Sequence, residues 1–216
     1  MLTVIACLAG LAILLVTADL LAKYKVLRGE YHRKFFHITA GSFIAFWPWL
    51  ISWRAIQVLS VLMLIVMVVG RYRNLLKYNG YVHRVTYGDI FFAVAIFISS
   101  IIAQNNKIFF AVAILEVALA DGLAAVAGIS IGKHWEYKMF GYKKTIIGSM
   151  IFWIATVEIL TAGLLAAHNV FQFQSYYYLL LLLPPLLTAV ESVSLYGIDN
   201  LIIPILTIVV LRMFQV

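Results

Sequence analysis

LTVIACLAGLAILLVTADLL (residues 2–21) is followed at once by AKYKVLRGEYHRKFFH (22–37). The first stretch holds one charged residue, Asp19, and as a helix its twenty residues reach about 30 Å, the thickness of a hydrocarbon core. The second brings Lys23, Lys25, Arg28, Arg33 and Lys34 in quick succession. With no basic residue before the apolar run and a basic cluster after it, the run reads as a retained first span with its N-terminus outside, not as a cleaved signal.

The same alternation recurs along the chain. Composition is 64% hydrophobic and 12% charged, with mean hydropathy +1.01, whereas soluble domains carry about 25% charged residues. Eight spans are predicted, near 2–22, 37–53, 55–70, 88–104, 107–128, 146–168, 175–190 and 200–214. They leave no room for a separate soluble domain. The expected fold is an all-α, polytopic integral membrane protein, one domain over residues 1–216, in the cell membrane with both termini outside.

Thirteen of the sixteen Lys and Arg residues fall in three loops of this scheme. They are Lys23, Lys25, Arg28, Arg33 and Lys34, then Arg71, Arg73, Lys77 and Arg84, then Lys133, Lys138, Lys143 and Lys144. Cytoplasmic loops retain Lys and Arg, so this side faces the cytoplasm. The net charge of +7 does not point to nucleic acid, because the positives flank apolar spans and no soluble aromatic-rich surface presents them. Cys7 is the only cysteine, which excludes an intrachain disulfide and a cysteine-built metal site. Trp47, Trp49, Trp53 and Tyr176 to Tyr178 read as interfacial anchors. Pro184 and Pro185 inside the seventh span predict a bend.

Acids at or within a bilayer are costly and are expected to face an interior, a cavity or a partner. Asp89, Asp121, Glu191 and Asp199 all fall at the basic ends of predicted spans. Carboxylates beside many positives can hold a divalent cation and a polyphosphate together, since magnesium takes carboxylate oxygens plus substrate phosphates; interhelical ion pairs are the alternative. Asp121 stands among small residues, Ala118, Ala120, Gly122, Ala124 and Ala125, at about 10 Å below its helix end. Lys144, Thr145, Gly148 and Ser149 open the next span with the parts of a phosphate site: a helix N-terminus, an ammonium and hydroxyls. Arg33, Lys34 and His37 open the second span, and Arg33 and His37 share a face if that helix begins early. They form either a phosphate-facing group or a basic cluster flanking the membrane. Asp199 and Asn200 open the last span, where, taken alone, an Asp or Asn reads as a helix cap. Glu116 and Glu158 fall near mid-membrane on neighbouring spans, where a shared proton or cation would mark a transporter.

Taken in order, RKFFH (33–37), YGD (87–89), ADGLAAVAG followed by GK (120–133), KTIIGS (144–149) and Glu191 followed by GIDN and Pro204 resemble the dolichol kinase and phytol kinase family, relatives of phosphatidate cytidylyltransferase. The resemblance covers residues 30–205. It implies transfer of the terminal phosphoryl group of CTP, with Mg²⁺, to a membrane lipid alcohol such as a polyprenol, phytol or diacylglycerol at the cytoplasmic face. It places Asp121 in the nucleotide and metal segment with Asp199 as a second metal ligand, and Asp89 or Glu191 as the general base. Arg33, Lys133 and Lys144 would clamp phosphates beside Lys34 and His37, and Thr145, Gly148, Ser149 and Asn200 would orient them. Two departures stand out. Ile147 occupies the position of the acid before the motif glycine, and Asp89 replaces the usual Glu. The paired glycines and Asp-Arg-x-Asp ending of the cytidylyltransferases are missing, which favours a kinase over an enzyme making a CDP-lipid. Oligomeric state is left open, a homodimer included.

Overall fold

The computed structural model describes residues 2–73, 86–132 and 134–215. Leu2–Lys23 forms α1, Glu30–Ala45 α2, the short Trp47–Leu50 α3 and Trp53–Tyr72 α4. Gly88–Ile102 is α5 and Lys107–Leu115 is α6, which passes through a π-helical stretch, Glu116–Asp121, into α7, Gly122–Ser130. After a hairpin, β1 (Glu136–Met139) and β2 (Tyr142–Thr145), come α8 (Ile146–Ala166), α9 (Phe173–Val193) and α10 (Asp199–Met213).

Among the described residues, five helical stretches are long and apolar enough to cross a membrane: α1, α4, the run Lys107–Ser130, α8 and α9. Helices α2, α5 and α10, at 16, 15 and 15 residues, fall short of that length. The chain is a membrane protein by this measure, and its outer faces agree: Ile5, Leu8 and Ile13 on α1 and Val58, Leu62 and Ile65 on α4 are large, apolar and exposed.

The run Lys107–Ser130 is the axis of the bundle, 72% buried where α1 is 11% buried. Its small residues allow α2 to lie against it. A Cβ on Gly122 would come within 2.3 Å of Ile38 Cγ1, and one on Gly41 within 2.6 Å of Ala118 Cβ, so any larger residue would force the helices apart. The π turn, which is uncommon and concentrates at functional sites, ends on Asp121.

Several expectations change here. The second helix starts at Glu30, not near 37, so Arg33, Lys34 and His37 are helical. The third basic loop is a β-hairpin, not a plain connection; Phe140 and Gly141 take φ of 47° and 84°, both positive as a two-residue hairpin turn of the I′ kind requires. Trp47 is buried against Phe43 and belongs to the core, while Trp49 is half-exposed. Pro184 and Pro185 lie within a helix that continues to Val193. Glu116 and Glu158 do not meet. Glu116 is fully buried and its Oε2 accepts from Thr156 Oγ1 at 2.8 Å, whereas Glu158, two residues beyond Thr156, faces outward.

Candidate active site

The N-termini of α2, α8 and α10 and the C-terminal end of α9 converge at one end of the bundle, with the hairpin beside them. They enclose a cavity of about 410 Å³ lined by Arg33, Lys34, Asp121, Lys144, Thr145, Gly148, Ser149, Glu191, Asp199 and Asn200. Each of these was named from the sequence. Three helix N-termini pointing into one space bring unpaired backbone NH groups and the positive ends of helix dipoles, a setting that favours anions.

At its floor are three carboxylates. Asp121, Glu191 and Asp199 are buried, and each offers an oxygen within 4.8 Å of the other two. Lys34 Nζ, on α2, lies 2.5 Å from Asp121 Oδ2. Lys144, on β2, pairs with the Glu191 carboxylate and donates to the Glu191 carbonyl at 2.9 Å. Burial alone would lower the Lys144 pKa, but the Glu191 carboxylate outweighs it and holds the ammonium above its ordinary value. Among the described residues Asp199 has no ion pair; its Oδ1 accepts from the Asn200 backbone NH at 3.0 Å. It is the first residue of α10, where that bond satisfies one first-turn NH, and its carboxylate also belongs to the cluster.

Local chemistry explains the placement. Thr145 Oγ1 accepts from Gly148 N at 3.0 Å and so starts α8, which turns Ser149 toward the cavity. Gly197 takes φ of +87° and a Cβ there would meet Gly88 Cα at 2.7 Å; only glycine fits. Asn200 Nδ2 then donates to Gly88 O at 2.8 Å, tying the starts of α5 and α10 together beside the site.

Two predicted site residues lie away from the cavity. Asp89 pairs with Arg71 at 3.1 Å, Arg71 also stacks over Tyr87, and Asp89 does not line the pocket. His37 Nε2 lies 3.2 Å from Val117 O with its ring edge-on to Phe92, behind the lysine and aspartate. Arg33 reaches the cavity but is engaged by Glu30 three residues earlier. Lys133 lies outside the described residues, as do Lys77 and Arg84. The sequence reading passed over Glu30 and Glu136 and gave Lys143 no role beyond the basic loop, yet all three line the cavity. Lys143 pairs with Glu136 at 2.8 Å, a relation that needs the hairpin register to be seen. It also passed over Tyr137, whose hydroxyl meets Ser149 Oγ at 2.8 Å and Ser192 Oγ at 3.0 Å.

A phytol kinase of Synechocystis sp. is 30% identical over 200 residues, covering 90% of this chain and 84% of that protein. The chain belongs to the phytol/dolichol kinase family. No protein-family model and no solved structure matches it. For a member of that family, the cavity has the contents that phosphoryl transfer asks for: cations, carboxylates and helix N-termini in one partly water-excluded space.

The carboxylate cluster also fits a magnesium ion chemically. Its donors are all hard oxygens, from three elements, and magnesium prefers such donors together with phosphate oxygens.

Proposed function

We propose that this protein is a CTP-dependent kinase that phosphorylates a long-chain lipid alcohol at the cytoplasmic face of the membrane. One observation carries the reading: five carboxylates and four cations line a single cavity, Glu30, Asp121, Glu136, Glu191 and Asp199 against Arg33, Lys34, Lys143 and Lys144. A triphosphate alone would meet this acid excess unfavourably. A divalent cation held by the carboxylates offsets part of that negative charge, and the positive ends of the helix dipoles offset more.

Asp121 and Asp199 are the metal ligands of this reading. Bound there, Mg²⁺ supplies neutralisation of charge on the transferring phosphate. Lys34 and Lys144 exchange their carboxylate partners for phosphate oxygens, and Arg33 and the N-terminus of α8 with Thr145, Gly148 and Ser149 complete the clamp. Glu191, the remaining carboxylate of the cluster, takes the proton of the acceptor hydroxyl as its oxygen attacks the terminal phosphorus and the nucleoside diphosphate leaves. Asp89, tied to Arg71, supports the start of α5 and is not the base. Positioning and charge are most of what this chemistry needs.

In this reading the chain crosses eight times, with α2, α5 and α10 as shorter spans and the N-terminus outside, and the cavity lies on the cytoplasmic side, which the clustering of basic residues supports. The alcohol's apolar tail stays in the bilayer while its hydroxyl reaches the cavity. The test is direct. Protein in lipid vesicles, given Mg²⁺, CTP and phytol or a polyprenol, forms a lipid phosphomonoester. Absence of that product with every alcohol and every nucleoside triphosphate contradicts the reading.

A further inference from the structure

The cavity supplies partners for phosphates and for a divalent cation, but among the described residues that line it none is aromatic. A nucleoside triphosphate also carries a base, and the flat faces of bases stack on aromatic side chains. Two tyrosines stand at the rim. Tyr142 is the neighbour of Lys143 and Tyr196 the neighbour of Gly197, and both Lys143 and Gly197 line the cavity. The two rings meet edge-on, with centroids 5.6 Å apart and planes at 76°, so the pair ties the hairpin to the loop between α9 and α10. On β2, Tyr142 and Lys144 are two residues apart and share one face of the strand, about 7 Å from each other along it. Lys144 faces Glu191 in the carboxylate cluster, which puts the ring one step out from the phosphate clamp.

Tyr196 has a φ of +56°, a left-handed conformation that bulky side chains rarely adopt. Its backbone has a structural task there, because the Tyr196 carbonyl accepts from Tyr87 N at 2.8 Å and from Thr86 Oγ1 at 3.3 Å. That task needs no side chain, and glycine would perform it without strain. The chain instead holds a tyrosine at this point, with 49% of it exposed. Backbone strain of this kind gathers at ligand sites. We propose that Tyr196, backed by Tyr142, is the platform on which the base of the nucleoside triphosphate stacks while its phosphates occupy the cavity. The proposal rests on the phosphotransfer reading and adds to it the subsite for the base. Stacking tolerates any base, so the platform accounts for binding a nucleoside, not for a choice among bases.

The test compares two ligands that share their phosphates. Purified protein is titrated, with Mg²⁺ present, with CTP and with inorganic tripolyphosphate, which has no base. The parent should bind CTP more tightly than tripolyphosphate. Tyr196→Leu and, from the other wall, Tyr142→Leu should each weaken CTP about tenfold and change tripolyphosphate by less than about twofold. Tyr196→Phe, which keeps the ring, should keep the preference for CTP. A tyrosine that only supports the fold would lose both ligands together or neither, and either result in the two Leu variants overturns the proposal. A parent that binds tripolyphosphate as tightly as CTP also overturns it, while a parent that binds neither overturns the phosphotransfer reading and the platform with it.

Discussion

Lys34 on α2 and Asp121 at the end of the π turn are 87 residues apart in sequence, yet the ammonium lies 2.5 Å from the carboxylate and both side chains are buried. The pair joins the first basic cluster to the central helix. It also sets the resting charge of the cavity. Breaking a buried pair by removing one partner costs about 3–5 kcal/mol, because the other charge is left without compensation.

Lys34→Met should therefore lower thermal stability strongly, and Asp121→Asn should abolish lipid phosphorylation while the protein still reaches the membrane. In the Lys34→Met/Asp121→Asn double variant, stability should return without activity. Melting of the purified proteins and a transfer assay check all three. Stability that falls additively in the double variant would show that the two residues are not coupled.

Lys144 gives a pH prediction. Its pKa is raised by Glu191 against the effect of burial, so its contribution is complete below the ordinary lysine value and is lost only as pH rises through the higher folded value. The stability gap between the parent and Lys144→Met should be constant from about pH 7 to 9 and narrow only above the unperturbed lysine range near 10.4. Melting temperatures across that series measure it. A gap that already closes between pH 7 and 9 would contradict the assignment.

Tyr137 carries the hairpin onto the site through Ser149 and Ser192, next to the Lys144–Glu191 pair. Tyr137→Phe should raise the nucleotide KM roughly fivefold, the equivalent of about 1 kcal/mol for a lost hydrogen bond, with a smaller change in kcat. Steady-state kinetics at saturating alcohol resolve the two.

Glu116 tests the transport alternative. It is buried against Thr156, its Oε1 has no hydrogen-bond partner among the described residues, and it does not line the cavity. Glu116→Gln should keep transferase activity. Thr156→Val should destabilise by about 1–3 kcal/mol, the cost of an unsatisfied buried polar group. Loss of activity in Glu116→Gln at unchanged stability would bring Glu116 into the mechanism.

Much of the site was legible because helix ends are marked in sequence. Asp121, Lys144, Thr145, Ser149, Glu191, Asp199 and Asn200 were each identified by a polar group beside an apolar run, and the bundle brings them to one cavity. What stayed hidden was set by angle and register. The position of Asp89 depends on which way α5 turns and on Arg71, and that of His37 on one helix face. Glu136 and Lys143 need the hairpin, whose only signal was Gly141 between short polar strands. Glu116 and Glu158 look alike in sequence and face opposite ways, because the π turn and the phase of α8 decide it.

The proposed reaction moves the terminal phosphoryl group of CTP onto a lipid alcohol. Membranes containing the protein are given Mg²⁺, a lipid alcohol and CTP labelled either in the γ or in the α phosphate, and the extracted lipid is counted. Label should enter lipid from the γ position and disappear in Asp121→Asn. Label entering from the α position, with phosphatidate as acceptor, would instead make the protein a cytidylyltransferase and contradict the account.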